Sequence, residues 1–295
     1  MESDYLVRAT ALEGRVRAFS LNATEVVAEL QRRHQLFPVP TAAVGRTAMG
    51  ALLLAAASLK EEDQILSVEI RGDGPIGRII CTANGAGEVR GLASNPRVHA
   101  ESVQPGKLNV AGVVGTEGYL SVTKDLGMRD SYRGTVELQS GEVGDDLAFY
   151  LGRSEQTPSA VGLGVFVMPD GSVEAAGGYL IQLLPGLSDD EVSEIEREIA
   201  ALPHPTALIR GGVGPEEVLA RVFSERVEIL DRQPVSFGCP CSRERFEAAL
   251  ITLGREELTT IVEEQEEVTE LVCHFCNEAY HFTAQEMEAV LRAAD

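Results

Sequence analysis

The sequence predicts an α+β fold in three parts: an N-terminal sheet-and-helix domain over residues 1–183, a helical linker over 184–233, and a small C-terminal zinc-binding domain over 234–295. Three observations carry this prediction. From Ile65 to Val173, short segments rich in β-branched residues alternate with Gly-rich turns, the pattern of a sheet with tight connections. From Leu184 to Asp231 that pattern gives way to charged helical segments broken by proline and glycine. From Pro234 onward the chain carries four of its five cysteines, in two tight pairs.

The elements follow in order. Tyr5 to Leu12 and Arg15 to Phe19 are predicted as strands around Gly14. Asn22-Ala23-Thr24-Glu25 forms a capping box with Asn22 as N-cap, and Val26, Val27 and Leu30 recur at helical spacing behind it. Pro38 and Pro40 end that helix. A second helix is expected from near Thr41 to about Leu59; it is apolar on nearly every side and belongs in the core. Ile65 to Arg71 and Ile76 to Thr82 are strands around Gly72-Asp73-Gly74-Pro75, and Asn84-Gly85 turns the chain into Glu88 to Leu92. Val110 to Val114, Leu120 to Thr123 and Thr135 to Leu138 are read as further strands, and Gly141 to Leu147 leads into a helix through about Arg153. Pro158 to Met168 and Ser172 to Gln182 are two strands joined by Pro169-Asp170-Gly171. Both are unusually apolar and glycine-rich, which fits a buried sheet or a surface that accepts apolar partners.

Ser188-Asp189-Asp190-Glu191 is a second capping box, continued by Val192, Ile195 and Ile199 until Pro203 and Pro205 break the helix. Pro215 opens another helix to Phe223. A connector this charged and interrupted has little core of its own and is marginal unless docked. Beyond it, Ser242 caps a helix from about Arg243 to Leu253 with Gly254 as its C-cap, and Glu256 to Glu264 continues in helix. Glu267 to Val272 reads as a strand with Tyr280-His281-Phe282 as its hairpin partner, and Thr283 to Glu286 caps a final helix.

The net charge of -21 is far from ordinary for a chain with 44% apolar residues. From Pro234 on there are four arginines, no lysine and 13 acidic residues, so a ribbon gripping phosphates is excluded and no nucleic-acid partner is expected. High charge suits a protein that stays soluble beside sticky partners. The acidic Met1-Glu2-Ser3-Asp4 start has no basic or apolar leader region, and the apolar run Ala48 to Ala57 is too short to span a bilayer. A cytoplasmic protein without a membrane partner is expected, with its thiols reduced.

The chemistry lies in Cys239-Pro240-Cys241 and Cys273-His274-Phe275-Cys276. Two such pairs fit a tetrahedral site of four sulfurs, which selects Zn2+, or less often iron, over hard cations. With four thiols available, His274 and His281 are not needed as ligands. The same spacing lets each pair join in a disulfide; the one across a single residue, Cys239–Cys241, closes a very small, strained ring, easily reduced and suited to regulation. Cys81, alone in the Ile79-Ile80-Cys81 strand, reads as a packed core thiol.

Several segments together resemble a known family. They are Phe237 to Arg245, Val272 to Cys276 with Tyr280 and Phe282, Val122 to Gly127 with Tyr132 and Gly134, Ser154 to Ser159, and Gly177 to Pro185. In these, the chain resembles the redox-regulated bacterial holdase chaperones, the heat-shock proteins named for thirty-three kilodaltons, over most of its length. The resemblance implies Zn2+ held by Cys239, Cys241, Cys273 and Cys276 in a reduced, inactive state. It implies disulfides Cys239–Cys241 and Cys273–Cys276 on oxidation, with zinc release and binding of unfolded client proteins. It further implies that residues 1–183 serve substrate binding and dimerisation, that 234–295 sense redox state, and that the oxidised form is a homodimer.

Other readings of the cysteines stay open at this level. A thioredoxin-like oxidoreductase would place C-x-x-C at the start of a helix, whereas here it follows a strand-like run. A zinc hydrolase would need an open coordination position, which four thiolates close. A zinc-ribbon interaction module needs no redox response and is separated by whether zinc leaves on mild oxidation. No P-loop or nucleotide fingerprint is present, and Asn84-Gly85-Ala86-Gly87 is a turn, so neither ATP use nor enzymatic activity is expected.

Overall fold

A computed structural model of the chain describes residues 3–102, 106–264 and 268–294. Its architecture is α+β, in two compact units, Met1–Gly238 and Cys239–Asp295. The first unit holds two sheets. One has five antiparallel strands in the order β10-β1-β2-β9-β8: β1 (Tyr5–Ala11), β2 (Val16–Asn22), β8 (Ser159–Val167), β9 (Val173–Leu183) and β10 (Val227–Pro234). The other has the order β11-β5-β4-β3-β6-β7: β3 (Ile65–Gly72), β4 (Arg78–Asn84), β5 (Glu88–Ala93), β6 (Gly118–Asp125), β7 (Tyr132–Glu137) and β11 (Ser236–Phe237). The two-residue β11 pairs parallel to β5; the other ladders are antiparallel.

The helix α2 (Pro38–Ser58) packs against strands of both sheets. It is apolar all round, so only a position covered on every side satisfies it. It is long and apolar enough to cross a membrane, but its 18-residue apolar window is wholly buried inside the unit. Its one cation, Arg46, is ion-paired to Glu142 at 2.6 Å. The helices α1 (Thr24–His34), α3 (Val110–Val114) and α4 (Val143–Ser154) contribute to the same core, including Leu30, Val113 and Leu147.

The opposite face of the five-stranded sheet is covered by the stretch after β9. Here α5 (Asp189–Ala201), α6 (Pro205–Arg210) and α7 (Pro215–Phe223) bury Ile195, Leu208, Leu219, Val222 and Phe223 against Val7, Ala9, Ala18 and Ile181. The glycines of β8 and β9 make this approach possible. A Cβ on Gly177 would lie 2.4 Å from Ile209 Cδ1, and one on Gly164 would lie 2.8 Å from the His204 ring.

The structure departs from the sequence reading at four places. Pro38 and Pro40 begin α2 instead of only ending α1, because the first turn of a helix needs no N–H from them. Asn22 does not cap α1: the N-cap position is Ala23, Asn22 Oδ1 accepts from Thr24, and Asp4 Oδ2 accepts from Val26 N at 2.8 Å. Val110–Val114 is a helix, not a strand; Asn109 Oδ1 accepts from Gly112 N. Val227–Pro234, read as connector, is a strand on the edge of the first sheet.

The second unit comprises α8 (Arg243–Leu253), α9 (Arg255–Glu264), a hairpin of β12 (Val268–Val272) and β13 (Ala279–Thr283), and α10 (Ala284–Ala293). Glu267, expected to open the first strand of that hairpin, lies outside the described residues. The Ser242 cap and the Thr283–Glu286 capping box form as expected, as does the Ser188–Glu191 box on α5. The buried core of this unit, among the described residues, is five side chains: Leu250, Leu258, Phe282, Met287 and Val290.

Candidate metal centre

Two backbone devices present the sulfurs. Cys239 and Cys241 lie just before α8, where Ser242 Oγ accepts from Arg245 N and Arg245 Nη1 donates to Pro240 O at 2.8 Å. The arginine thus folds back over the Cys-Pro-Cys turn and fixes its carbonyl. Cys273 and Cys276 sit in the tight connection between β12 and β13. There Cys276 N and Asn277 N both donate to Cys273 O, at 3.2 and 2.7 Å, and Cys273 N donates to Glu278 O at 2.9 Å. Asn277 takes the left-handed conformation at φ 56°, which asparagine tolerates better than most residues.

These devices bring together the four sulfurs singled out in the sequence: their Sγ atoms all lie within 4.8 Å of one another. Cys239 and Cys273 approach to 3.8 Å, and Cys241 and Cys276 to 3.3 Å. A tetrahedron with bonds of ~2.3 Å, the usual Zn–S length, has edges of about 3.8 Å. The donor set therefore fits a tetrahedral thiophilic cation, and the cluster could hold a metal ion. Cys273 and Cys276 are buried and the other two half-buried.

Burial pushes the Cys273 and Cys276 thiols up from the ordinary thiol range. A divalent cation among the sulfurs acts in the opposite sense, favouring thiolates and releasing protons as it binds. The Cys273 sulfur accepts from the main-chain N–H groups of Phe275 and Cys276, and the Cys276 sulfur from that of Glu278. At Cys241 the donor is a side chain: Tyr280 Oη donates to Cys241 Sγ at 3.3 Å. The Tyr280 ring lies against Phe246 of α8, with centroids 4.9 Å apart.

The histidines are not part of the cluster. His274 is exposed in the turn, and His281 lies 3.6 Å from Glu270 on the exposed face of the hairpin. Cys81 is buried in the other unit, donates to Val44 O at 3.6 Å, and has its thiol pushed up by burial, as a core thiol should. Sequence reasoning did not assign roles to Tyr280 and Arg245. Both lie in the stretches that carried the family resemblance, yet spacing alone does not say which sulfur or carbonyl they reach.

Comparisons with known proteins agree with this geometry. The family model described as Hsp33 protein matches residues 4–283. A 33 kDa chaperonin of Bacillus subtilis is 50% identical over 287 residues, covering 97% of this chain and 98% of that protein. A 33 kDa chaperonin of Listeria monocytogenes serotype 4b is 46% identical over 289 residues, covering 97% of each. The crystal structure of the 33 kDa chaperonin (heat shock protein 33 homolog) of Thermotoga maritima superposes with a TM-score of 0.91 at 35% identity, covering 99% of both chains.

Proposed function

The chain belongs to the Hsp33 family, and from that premise we propose that it is a redox-regulated, ATP-independent holdase of the cytoplasm and not an enzyme. Its clients are unfolding proteins; nucleic acid and membranes are not among its partners. The observation that carries this reading is the cluster of four sulfurs within 4.8 Å. Cys239, Cys241, Cys273 and Cys276 would hold zinc in the reduced, inactive state. When bound, zinc supplies a structural staple and keeps the four sulfurs as thiolates.

Oxidation removes the ligands. In each of the pairs Cys239–Cys241 and Cys273–Cys276, two thiolates give two electrons to one peroxide. The O–O bond breaks, an S–S bond forms, and two protons from solvent complete two waters. Sulfurs joined in this way no longer hold the ion. Such small rings constrain little chain, and the five-residue core of the second unit is small. A structural zinc is worth roughly 10–16 kcal/mol, comparable to the ~5–15 kcal/mol that stabilises a whole domain. Losing it unfolds the redox-sensing unit.

The linker of residues 184–233 then undocks. Its helices α5, α6 and α7 leave the apolar face of the five-stranded sheet, which becomes the client surface of residues 1–183 in an oxidised homodimer. The test is zinc release, followed with a chromogenic chelator before and after peroxide with gentle warming, beside light scattering of a thermally aggregating client. One zinc per chain leaving as aggregation suppression appears is the expected result. Zinc that stays bound, or leaves without any gain in suppression, overturns it.

A further inference from the structure

We propose that Tyr280 is a positioning residue that restrains the oxidation of Cys241, through the hydrogen bond its hydroxyl donates to the Cys241 sulfur. The inference rests on the redox reading above and concerns how sensitive that site is. Three features support it. The donor and acceptor are 3.3 Å apart, within range for a sulfur acceptor. The hydroxyl is held from two sides: Tyr280 stands in the β12–β13 ladder opposite Leu271, and its ring rests on Phe246 of α8. Apart from the neighbouring sulfurs, Cys273 and Cys276 face main-chain N–H groups, which no side-chain change removes, whereas Cys241 faces the Tyr280 hydroxyl. One substitution therefore sets the reactivity of one arm of the cluster without touching a ligand.

The chemistry has a definite direction. In the oxidising step, the Cys241 thiolate attacks one oxygen of a hydroperoxide. An S–O bond forms, the O–O bond breaks, and the hydroxide or alkoxide that leaves takes a proton from solvent. The sulfur is oxidised by two electrons to a sulfenic acid and the peroxide is reduced by two. A neighbouring thiolate then displaces hydroxide from that sulfur to close a disulfide. The first step draws on the electron density of the thiolate, which a hydrogen-bond donor withdraws. Loss of the hydroxyl returns that density to the sulfur and speeds attack by about 3- to 10-fold, the net worth of one hydrogen bond.

The test uses the full-length, zinc-loaded chain and its Tyr280→Phe variant. The rate at which Cys241 leaves the alkylatable pool under excess hydrogen peroxide is read by differential alkylation and mass spectrometry. Zinc transfer to a competing chelator without peroxide is measured in parallel, as a readout of how firmly the site is held. The expected result is Cys241 oxidation about 3- to 10-fold faster in Tyr280→Phe, with chelator transfer unchanged within twofold. Phe246→Leu keeps the hydroxyl but removes its ring support, and is expected to give a smaller acceleration of the same kind. Equal oxidation rates in wild type and Tyr280→Phe overturn the inference alone. Oxidation and chelator transfer rising together overturn it too, because the tyrosine is then merely structural. If wild-type Cys241 resists peroxide altogether, both this inference and the redox reading fall.

Discussion

Phe223 is the deepest anchor of the layer that covers the five-stranded sheet. It ends α7 and is fully buried, at 0% exposure, beside Val222 and Leu219. Phe223→Ala removes a whole ring from a site whose floor is sheet and cannot collapse. Such truncations cost about 3–5 kcal/mol. At about 1.4 kcal/mol per tenfold, the opening equilibrium of α5–α7 rises by about two to four decades. Native-state hydrogen exchange reads this directly: amides of Asp189–Ala201 and Pro215–Phe223 should lose protection by that factor, while those of β3 in the other sheet keep theirs. The reduced, zinc-bound variant should also bind a hydrophobic dye and suppress aggregation without oxidant. If β3 loses protection in step with α7, the helices are not a separable layer and the reasoning fails. Unchanged exchange in α5–α7 would refute the assigned anchor.

Burial pushes the Asp4 carboxyl up to about 6, above its unfolded value of 3.8, although it accepts from Val26 N. The folded state therefore holds the proton more tightly, and this group's contribution to stability is present below pH 3.8 and is lost as pH rises to about 6. Asp4→Asn should accordingly gain on wild type across that window, by up to ~3 kcal/mol, in urea titrations at stepped pH. Arg46→Ala takes from the Glu142 carboxylate its 2.6 Å partner, leaving Lys107 at 3.3 Å among the described residues, and should cost about 3 kcal/mol in the same assay, whereas Arg46→Met costs less. Cys276→Ser should abolish zinc binding and the helical signal of the second unit. Cys81→Ser should leave zinc stoichiometry unchanged while costing about 1–3 kcal/mol for its buried hydroxyl; metal analysis beside circular dichroism checks both.

What the sequence disclosed was chemistry that acts over a few residues. The boxes at Ser188 and Thr283 and the cap at Ser242 join groups three positions apart, and each forms. The sulfur cluster was legible for the same reason: each half is a short motif, and two halves of matching chemistry have few other uses. Contacts distant in sequence were not legible. Asp4 serves the start of α1 from 22 residues away. The residues of β10 carry charges and a closing proline, and they become a strand because β1 offers them an open edge. The β-branched Val110–Val114 is helical because its last carbonyls meet the 74–76 turn, where Gly74 N and Ile76 N donate to Val114 and Val113. Propensity yields to such tertiary partners.

The glycines of β8 and β9 connect the fold to the proposed activity. An apolar sheet face meant to stay covered for good would gain from larger side chains filling the space beneath its helices. Here Gly164 and Gly177 leave the backbone bare under His204 and Ile209, so that α6 lies close to the strands. The cover over this face rests on few anchors, chiefly Ile195, Leu208 and the α7 side chains, and its polar links to the sheet are exposed or half-exposed, such as Arg210–Glu174 and Arg15–Glu191. Exposed pairs of this kind contribute about 0–1 kcal/mol each. Little therefore holds the cover beyond a handful of apolar contacts, while α2 and the two inward faces form a core that does not depend on it. Under the proposed activity, this apolar, glycine-lined face would accept other apolar segments once the helices left it. A larger residue at Gly164, where a Cβ would meet His204 and the start of α6, should force the helices off and expose the face, yet also roughen it. Substitution there should raise dye binding in the reduced state and change which clients are protected, and a variant that binds dye but protects every client as the oxidised wild type does would refute the claim that flatness matters.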